Sequence, residues 1–159
     1  ACWGPDPVSH EGRFYRIPPS EVNPKPAQEH LPILVGAMTE PGVRRAARIA
    51  DGLNPVALSE AMLVDLATRF RDAAREEGRD ADKLTVVARA NAPITAEPLG
   101  DDRPFLGGSP KQIAGDLAAL QGKGIDHVFF CDMDADDTDK YLRLLEEVRA
   151  AATAQGIGA

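Results

Sequence analysis

The sequence predicts an α/β fold of four strand–helix units around one parallel sheet, and three observations predict it. Short unbroken apolar runs, Ile33-Leu34-Val35 and the segment Ile125–Cys131 with Val128, Phe129 and Phe130, have the pattern of strands buried on both faces. Stretches of helical length follow each strand, with apolar residues recurring three and four positions apart. The two signals alternate along the chain, which implies right-handed crossovers and parallel strands.

Taken in order, Val8–Ile17 (VSHEGRFYRI) suggests two short extended pieces around a tight turn at Glu11-Gly12. From Pro18 to Pro32 five prolines block both helix and central strand, so this stretch is an extended surface connector, ordered by docking of Phe14, Tyr15 and Ile17. Ile33-Leu34-Val35 is the first strand of the sheet, ended by the small residues Gly36-Ala37. The helix 41–50 buries Val43, Ala46, Ala47 and Ala50, turns Arg44, Arg45 and Arg48 outward, and has Pro41 in its first turn and Gly52 just past its end. Leu53–Val56 is a short strand interrupted by Pro55. Ser59 then caps a helix over Glu60–Glu77, with Leu63, Leu66, Ala67, Phe70, Ala73 and Ala74 as its apolar stripe and Gly78 as its stop. Leu84–Ala90 is the third strand, with Leu84, Val86, Ala88 and Ala90 on one face. After a loop over 97–108, Ser109-Pro110-Lys111-Gln112 forms a capping box for a helix to about Gln121, with Ile113, Leu117 and Leu120 inward. Ile125–Cys131 is the fourth strand. Asp137 or Thr138 caps the last helix, which turns Leu142, Leu145 and Val148 inward and runs to about Ala152. The organisation expected is a hairpin and proline-rich connector over 1–32, the α/β unit over 33–152 and a frayed tail over 153–159. Both a small doubly wound sheet and four successive units of a (β/α)8 barrel fit this order.

With 159 residues the chain is a single domain by length and large enough to bury a core. A net charge of −7 and a pI near 4.9 argue against a general nucleic-acid or anionic-membrane surface. No apolar run is long enough to span a bilayer, and ACWGPDPVSH lacks the basic start and apolar stretch of a signal peptide. Cys2 and Cys131 imply no disulfide framework; Cys131 is expected as a small buried hydrophobe and the compartment as cytoplasmic. The chain starts with Ala, and Trp3-Gly4-Pro5-Asp6-Pro7 reads as the end of a helix, so a fragment or processed chain is expected.

The stretch Met38–Gly42 is the first candidate site. Ligands of both architectures sit at the C-terminal ends of the strands. Gly36 and Ala37 let backbone approach a ligand, Thr39 adds a hydroxyl, and the start of the following helix attracts phosphate. Glu40 opposes this unless its carboxylate turns away, and a plain strand-to-helix turn is the competing explanation. Asn54, Asn91 and Asp132 end the other strands, with helix or loop capping as their simpler roles. The acidic run Asp132–Asp139 fails as a calcium loop, because Asp137 and Arg143 stand where Gly and Glu are required. His10, His30 and His127 have no metal-ligand spacing, so no metal is expected. Gly107-Gly108-Ser109-Pro110 is too short for a nucleotide fingerprint and reads as a helix cap.

The order of five segments, Trp3, VSHEGRFYRI with its proline-rich connector, PILVGA, RRAARIADGLNP, and FLGGSPKQIAGDLAALQGKGIDHVFF, resembles the bacterial luciferase-like monooxygenase superfamily. The likeness is greatest to its deazaflavin branch, which uses coenzyme F-420. It covers roughly residues 3–152, with departures at Leu53, where members often have an aromatic residue, and at Ala37, where they have a second glycine. The resemblance implies the C-terminal half of a (β/α)8 TIM-type barrel, with F-420 (or FMN) across the barrel mouth and Gly36, Ala37, Met38, Thr39 and, more loosely, Gly42 near the cofactor phosphate. It implies an oxidoreductase or monooxygenase passing hydride between the cofactor and a small organic substrate. It names no acid, base or nucleophile in this chain. A non-catalytic half-barrel that dimerises, or pairs with an N-terminal half, is the alternative. A homo-oligomer through open sheet edges or helices is expected on either reading.

Overall fold

The computed structural model describes residues 2–131 and 136–158, so Asp132 and the first half of the acidic run lie outside the described residues. The chain divides into two compact units, one up to Pro32 and one from Ile33 onward.

In the first unit β1 (Val8–Glu11) pairs antiparallel with β2 (Arg16–Ser20). The turn lies later than the expected Glu11-Gly12: Glu11 pairs with Arg16 in the ladder and by a 2.7 Å ion pair, and the Gly12 N–H donates to the Tyr15 carbonyl at 2.9 Å. β2 also runs on through Pro18 and Pro19, which a two-stranded ribbon tolerates because one side of each strand needs no donor. Phe14 and Tyr15 do not dock; both stand exposed at the hairpin tip. The connector is instead held by Asp6, whose carboxylate accepts from Lys25 Nζ at 2.7 Å and from the Val22 N–H at 3.1 Å. Those bonds, Lys25 foremost, hold the Asp6 carboxyl below its ordinary value.

The second unit runs β3 (Leu34–Val35), α1 (Glu40–Ile49), β4 (Gly52–Leu53), α2 (Glu60–Glu76), a 3-10 turn (Ala81–Lys83), β5 (Thr85–Ala90), α3 (Pro110–Leu120), β6 (His127–Phe130) and α4 (Thr138–Thr153). The strands form one sheet in the order β3-β4-β5-β6, every pair parallel. The expected strand over 53–56 is shorter and begins earlier, with only the bridge between Val56 and Arg89 beyond it. The helices match their local chemistry. The Ser59 hydroxyl accepts from the Met62 N–H at 3.2 Å, Asp137 accepts from the Lys140 N–H at 2.9 Å, and the Ser109 N–H donates to Gln112 Oε1 at 3.0 Å.

Strands adjacent in sequence are adjacent in space, and right-handed crossovers in that order place successive helices on the same face of the sheet. Burial agrees. Val86, Ala88 and Ala90 of β5 pack into the helix-facing core with Phe70, Leu66 and Leu63 of α2, whereas Arg89 between them is exposed. A doubly wound sheet has a switch point in its strand order and helices on both faces. This sheet has neither, so the unit is four consecutive strand–helix units of a (β/α)8 barrel.

Three expectations about burial are corrected. Ile33 and Leu34 are 46% and 39% exposed and Phe129 is 42% exposed, because among the described residues the outer strands pair on one side only and no element from Ile33 onward covers the second face. Leu142 points outward, and Leu144, Val148 and Ala152 make the buried stripe of α4. Cys131 is half-buried rather than enclosed. The tail folds back on α4, the Ile157 N–H donating to the Ala152 carbonyl at 3.1 Å.

Candidate functional site

Parallel strands bring their C-terminal ends to one rim, where Gly36, Asn54 and Asn91 stand at the ends of β3, β4 and β5. The loop from β3 to α1 is the most shaped part of this rim. Gly36 is exposed, and a side chain there would meet only the Asn54 carbonyl at 3.6 Å, so a ligand has room to approach the backbone. Gly42 is the opposite case. A Cβ there would lie 3.0 Å from the Ala37 Cβ and 3.3 Å from Thr39 Oγ1, so the bare glycine lets the first turn of α1 sit against Ala37 and Thr39. Thr39 occupies the N-cap with extended backbone, yet its hydroxyl caps nothing. The Val43 N–H returns to the Thr39 carbonyl at 2.9 Å, while the Glu40 and Gly42 N–H groups have no recorded acceptor among the described residues. Unsatisfied donors at a helix start, reinforced by the helix dipole, favour an anion.

Glu40 does not oppose this. Its carboxylate is held by Arg44 at 2.8 Å and Arg69 at 3.0 Å, and Arg44 also binds Glu76 at 2.9 Å. Glu76 and then Glu40 raise the Arg44 guanidinium above its ordinary value. Arg44, one of the three arginines turned outward from α1, is thus paired within the chain. Met38 faces inward: its Sδ accepts from the Val56 N–H at 3.3 Å and its side chain packs on the core beneath α1. Gly36, Ala37, Thr39 and Gly42 therefore lie together at the rim, and Met38 ties their loop down.

Asn54 has a structural role, its Nδ2 donating to the Val87 carbonyl across β4 and β5. Asn91 is exposed at the rim. Leu58, between β4 and α2, and Met62, in the first turn of α2, are exposed as well.

The loop from β5 to α3 carries a clamp that the sequence pattern did not reveal. Arg103 grips Asp116 of α3 in a bidentate pair at 2.6 and 2.8 Å, Arg103 also donates to the Gly107 carbonyl at 2.9 Å, and Asp116 accepts from the Leu106 N–H at 2.8 Å. Asp116 thereby holds the Arg103 guanidinium above its ordinary value. The clamp keeps Leu106 fully buried at φ 60°, and it positions Gly108 at φ 108° immediately before the α3 cap. Gly107 and Gly108 therefore serve packing and backbone geometry, as the capping explanation requires.

An apolar groove of about 380 Å³ lies at the other end of the sheet, between β6 and α4, lined by His127, Val128, Leu145, Val148 and Ile157. It is remote from the strand C-termini where the loop donors gather. Among the described residues no group of three or more His, Cys, Asp or Glu is gathered as a metal ion needs, and no helix is long and apolar enough to cross a membrane.

Comparison with known proteins places this fold. An uncharacterised protein of Mycobacterium tuberculosis is 43% identical over 53 residues, which are 33% of this chain and 19% of that protein. Solved structures resemble nearly the whole chain at low identity. A coenzyme F-420-dependent tetrahydromethanopterin reductase from Methanopyrus kandleri matches with a TM-score of 0.73 and 16% identity, over 94% of this chain and 59% of its own. An F-420-dependent secondary alcohol dehydrogenase, solved with an F-420–acetone adduct, matches with a TM-score of 0.72 and 16% identity, over 95% and 58%. A riboflavin lyase with modified FMN and riboflavin matches with a TM-score of 0.69 and 13% identity, over 96% and 49%. The chain spans less than two thirds of the length of each of these proteins. Residues 1–99 match the family described as luciferase-like monooxygenase, and the chain belongs to that family.

Proposed function

We propose that this chain forms the cofactor-phosphate end of an oxidoreductase that binds coenzyme F-420, or FMN in its place, and passes hydride between that cofactor and a small organic substrate. One observation carries the reading: Ala37 and Thr39 pack against Gly42 at a helix start whose Glu40 and Gly42 N–H groups have no recorded acceptor among the described residues, with the Glu40 carboxylate tied back by arginines. That arrangement fits a phosphate monoester or diester. The Glu40 and Gly42 N–H groups and the Thr39 hydroxyl would hold its oxygens, and Gly36 would leave space for the chain attached to it. The redox chemistry belongs to the cofactor when bound; this chain's residues bind and orient it. The similar structures named for F-420 and FMN support a cofactor of this class. The uncovered sheet face favours a second reading, a non-catalytic half-barrel module.

Equilibrium titration with F-420, FMN and riboflavin, followed by fluorescence or calorimetry, separates the two. The expected result is binding of F-420 or FMN, much weaker binding of riboflavin, which lacks the phosphate, and loss of that preference in Gly42→Val. Binding of neither phosphorylated cofactor at tens of micromolar favours the module.

A further inference from the structure

The strand register sets levels on the face of the sheet turned away from the helices. Leu34, Gly52 and Thr85 pair across β3, β4 and β5 at the first residue of each strand. A Cβ on Gly52 would lie 2.6 Å from both the Leu34 Cδ2 and the Thr85 Oγ1, so these residues share one side. Alternation carries Val87 and Arg89 of β5 to the same side, because Val86, Ala88 and Ala90 point into the helix-facing core. In a (β/α)8 barrel this side is the interior, and the placement holds whatever covers it.

Arg89 stands at the highest of these levels, next to the C-terminal rim. Its backbone bridges Val56, just beyond β4, and its register partner on β6 is Phe129. The Arg89 N–H donates to the Pro55 carbonyl at 2.9 Å, and its carbonyl accepts from the Ala57 N–H at 2.9 Å, so the position of its backbone is fixed. The Val56 N–H in turn donates to Met38 Sδ at 3.3 Å. The β3–α1 loop and Arg89 are thus on one level, two strand spacings or about 10 Å apart. The interior of such a barrel is filled mostly by Val, Ile and Leu, and ligands enter at the rim. A guanidinium on the interior side of the rim, beside a half-exposed aromatic ring, is therefore a group that a bound ligand meets.

We infer that Arg89 and Phe129 receive the ring system of the cofactor whose phosphate the start of α1 holds. This rests on the cofactor-phosphate reading and adds the ring end of the same site. Flavins and deazaflavins share a pyrimidinedione edge with two carbonyl acceptors, joined to the phosphate by a ribityl chain that bridges a gap of this size. The planar guanidinium of Arg89 donates to that edge, and Phe129 lies against the ring. A cation there also favours the negative charge that the ring gains on reduction.

Fluorescence titration of the whole chain with FMN and with riboflavin separates a ring contact from a phosphate contact. Arg89→Gln should weaken both ligands by the same factor, about tenfold or more, as for one lost hydrogen bond to a charged group. Their ratio then stays unchanged, whereas Gly42→Val changes it. Arg89→Lys, which keeps the charge without the fork, should recover part of the loss. Phe129→Leu, which keeps the apolar contact without the ring, should weaken both ligands equally by a smaller factor. The reduction potential of bound FMN should be lower in Arg89→Gln than in the wild type. Arg89 is exposed, so its variants should keep the far-ultraviolet circular dichroism of the wild type. If the wild type binds FMN and Arg89→Gln binds both ligands unchanged, the ring contact is overturned and the phosphate reading stands. A loss confined to FMN makes Arg89 a phosphate ligand and also overturns the ring contact. A wild type that binds neither ligand removes the phosphate reading and this inference with it.

Discussion

Removing the Asp116 carboxylate tests how the rim loop after β5 is held. Asp116→Ala deletes two bonds from Arg103 and one from the Leu106 N–H, and leaves the guanidinium with the Gly107 carbonyl. Hydrogen bonds to charged groups contribute about 1.5–3 kcal/mol each and do not add within one network. The two side chains are 21% and 14% exposed, so water relieves part of the orphaned charge. The expected cost is about 3 kcal/mol, the low end for breaking a buried pair. The double variant Arg103→Met with Asp116→Ala leaves no charge behind, so its cost should fall below the sum of the Arg103→Met and Asp116→Ala costs, with a coupling of about 2 kcal/mol. Urea unfolding of the four proteins measures both quantities, and hydrogen exchange at the Leu106 amide reports the local effect. A cost for Asp116→Ala below about 1 kcal/mol, the range of exposed pairs, or strict additivity, would refute the clamp.

The remaining predictions address core, caps and acid stability. Phe70 of α2 is fully buried in the core that α2 shares with α1, so Phe70→Ala should cost about 3–5 kcal/mol in chemical denaturation. Ser59→Ala removes the cap on the Met62 N–H and should cost about 1 kcal/mol, with Ser59→Asp close to neutral by the same measurement. The Lys140 N–H bond holds the Asp137 carboxyl below its ordinary value of 3.8. Its contribution is therefore present above that value and is lost as pH falls through the lowered one; Asp137→Asn, which still caps but does not titrate, should flatten the acid limb of a stability–pH curve.

Much of the second unit was legible because its signals are local. The Ser59 and Ser109 caps, Gly78 as a stop and the stripe ending at Ala74 each depend on a few neighbouring residues. What covers an element is not local. Ile33-Leu34-Val35 reads as a strand whichever elements lie above it, so the open face emerged only from the strand order. In α4, Leu142 and Leu144 are both apolar within one turn, and only the packing against α3 selects Leu144. The site was legible in part. Gly36, Ala37, Thr39 and Gly42 stand together as the strand-to-helix pattern suggests, but Glu40 is neutralised by Arg69, a residue 29 positions away. The Arg103–Asp116 clamp likewise joins a loop to a helix by a contact that no sequence period encodes.

Whether the start of α1 holds a cofactor phosphate is tested most directly by amide chemical shifts of the labelled chain during titration with FMN and with F-420. Saturable shifts centred on Gly36, Ala37, Thr39, Glu40 and Gly42, smaller with riboflavin, are the predicted result. Shifts confined to the groove between β6 and α4, or none at millimolar cofactor, would contradict it.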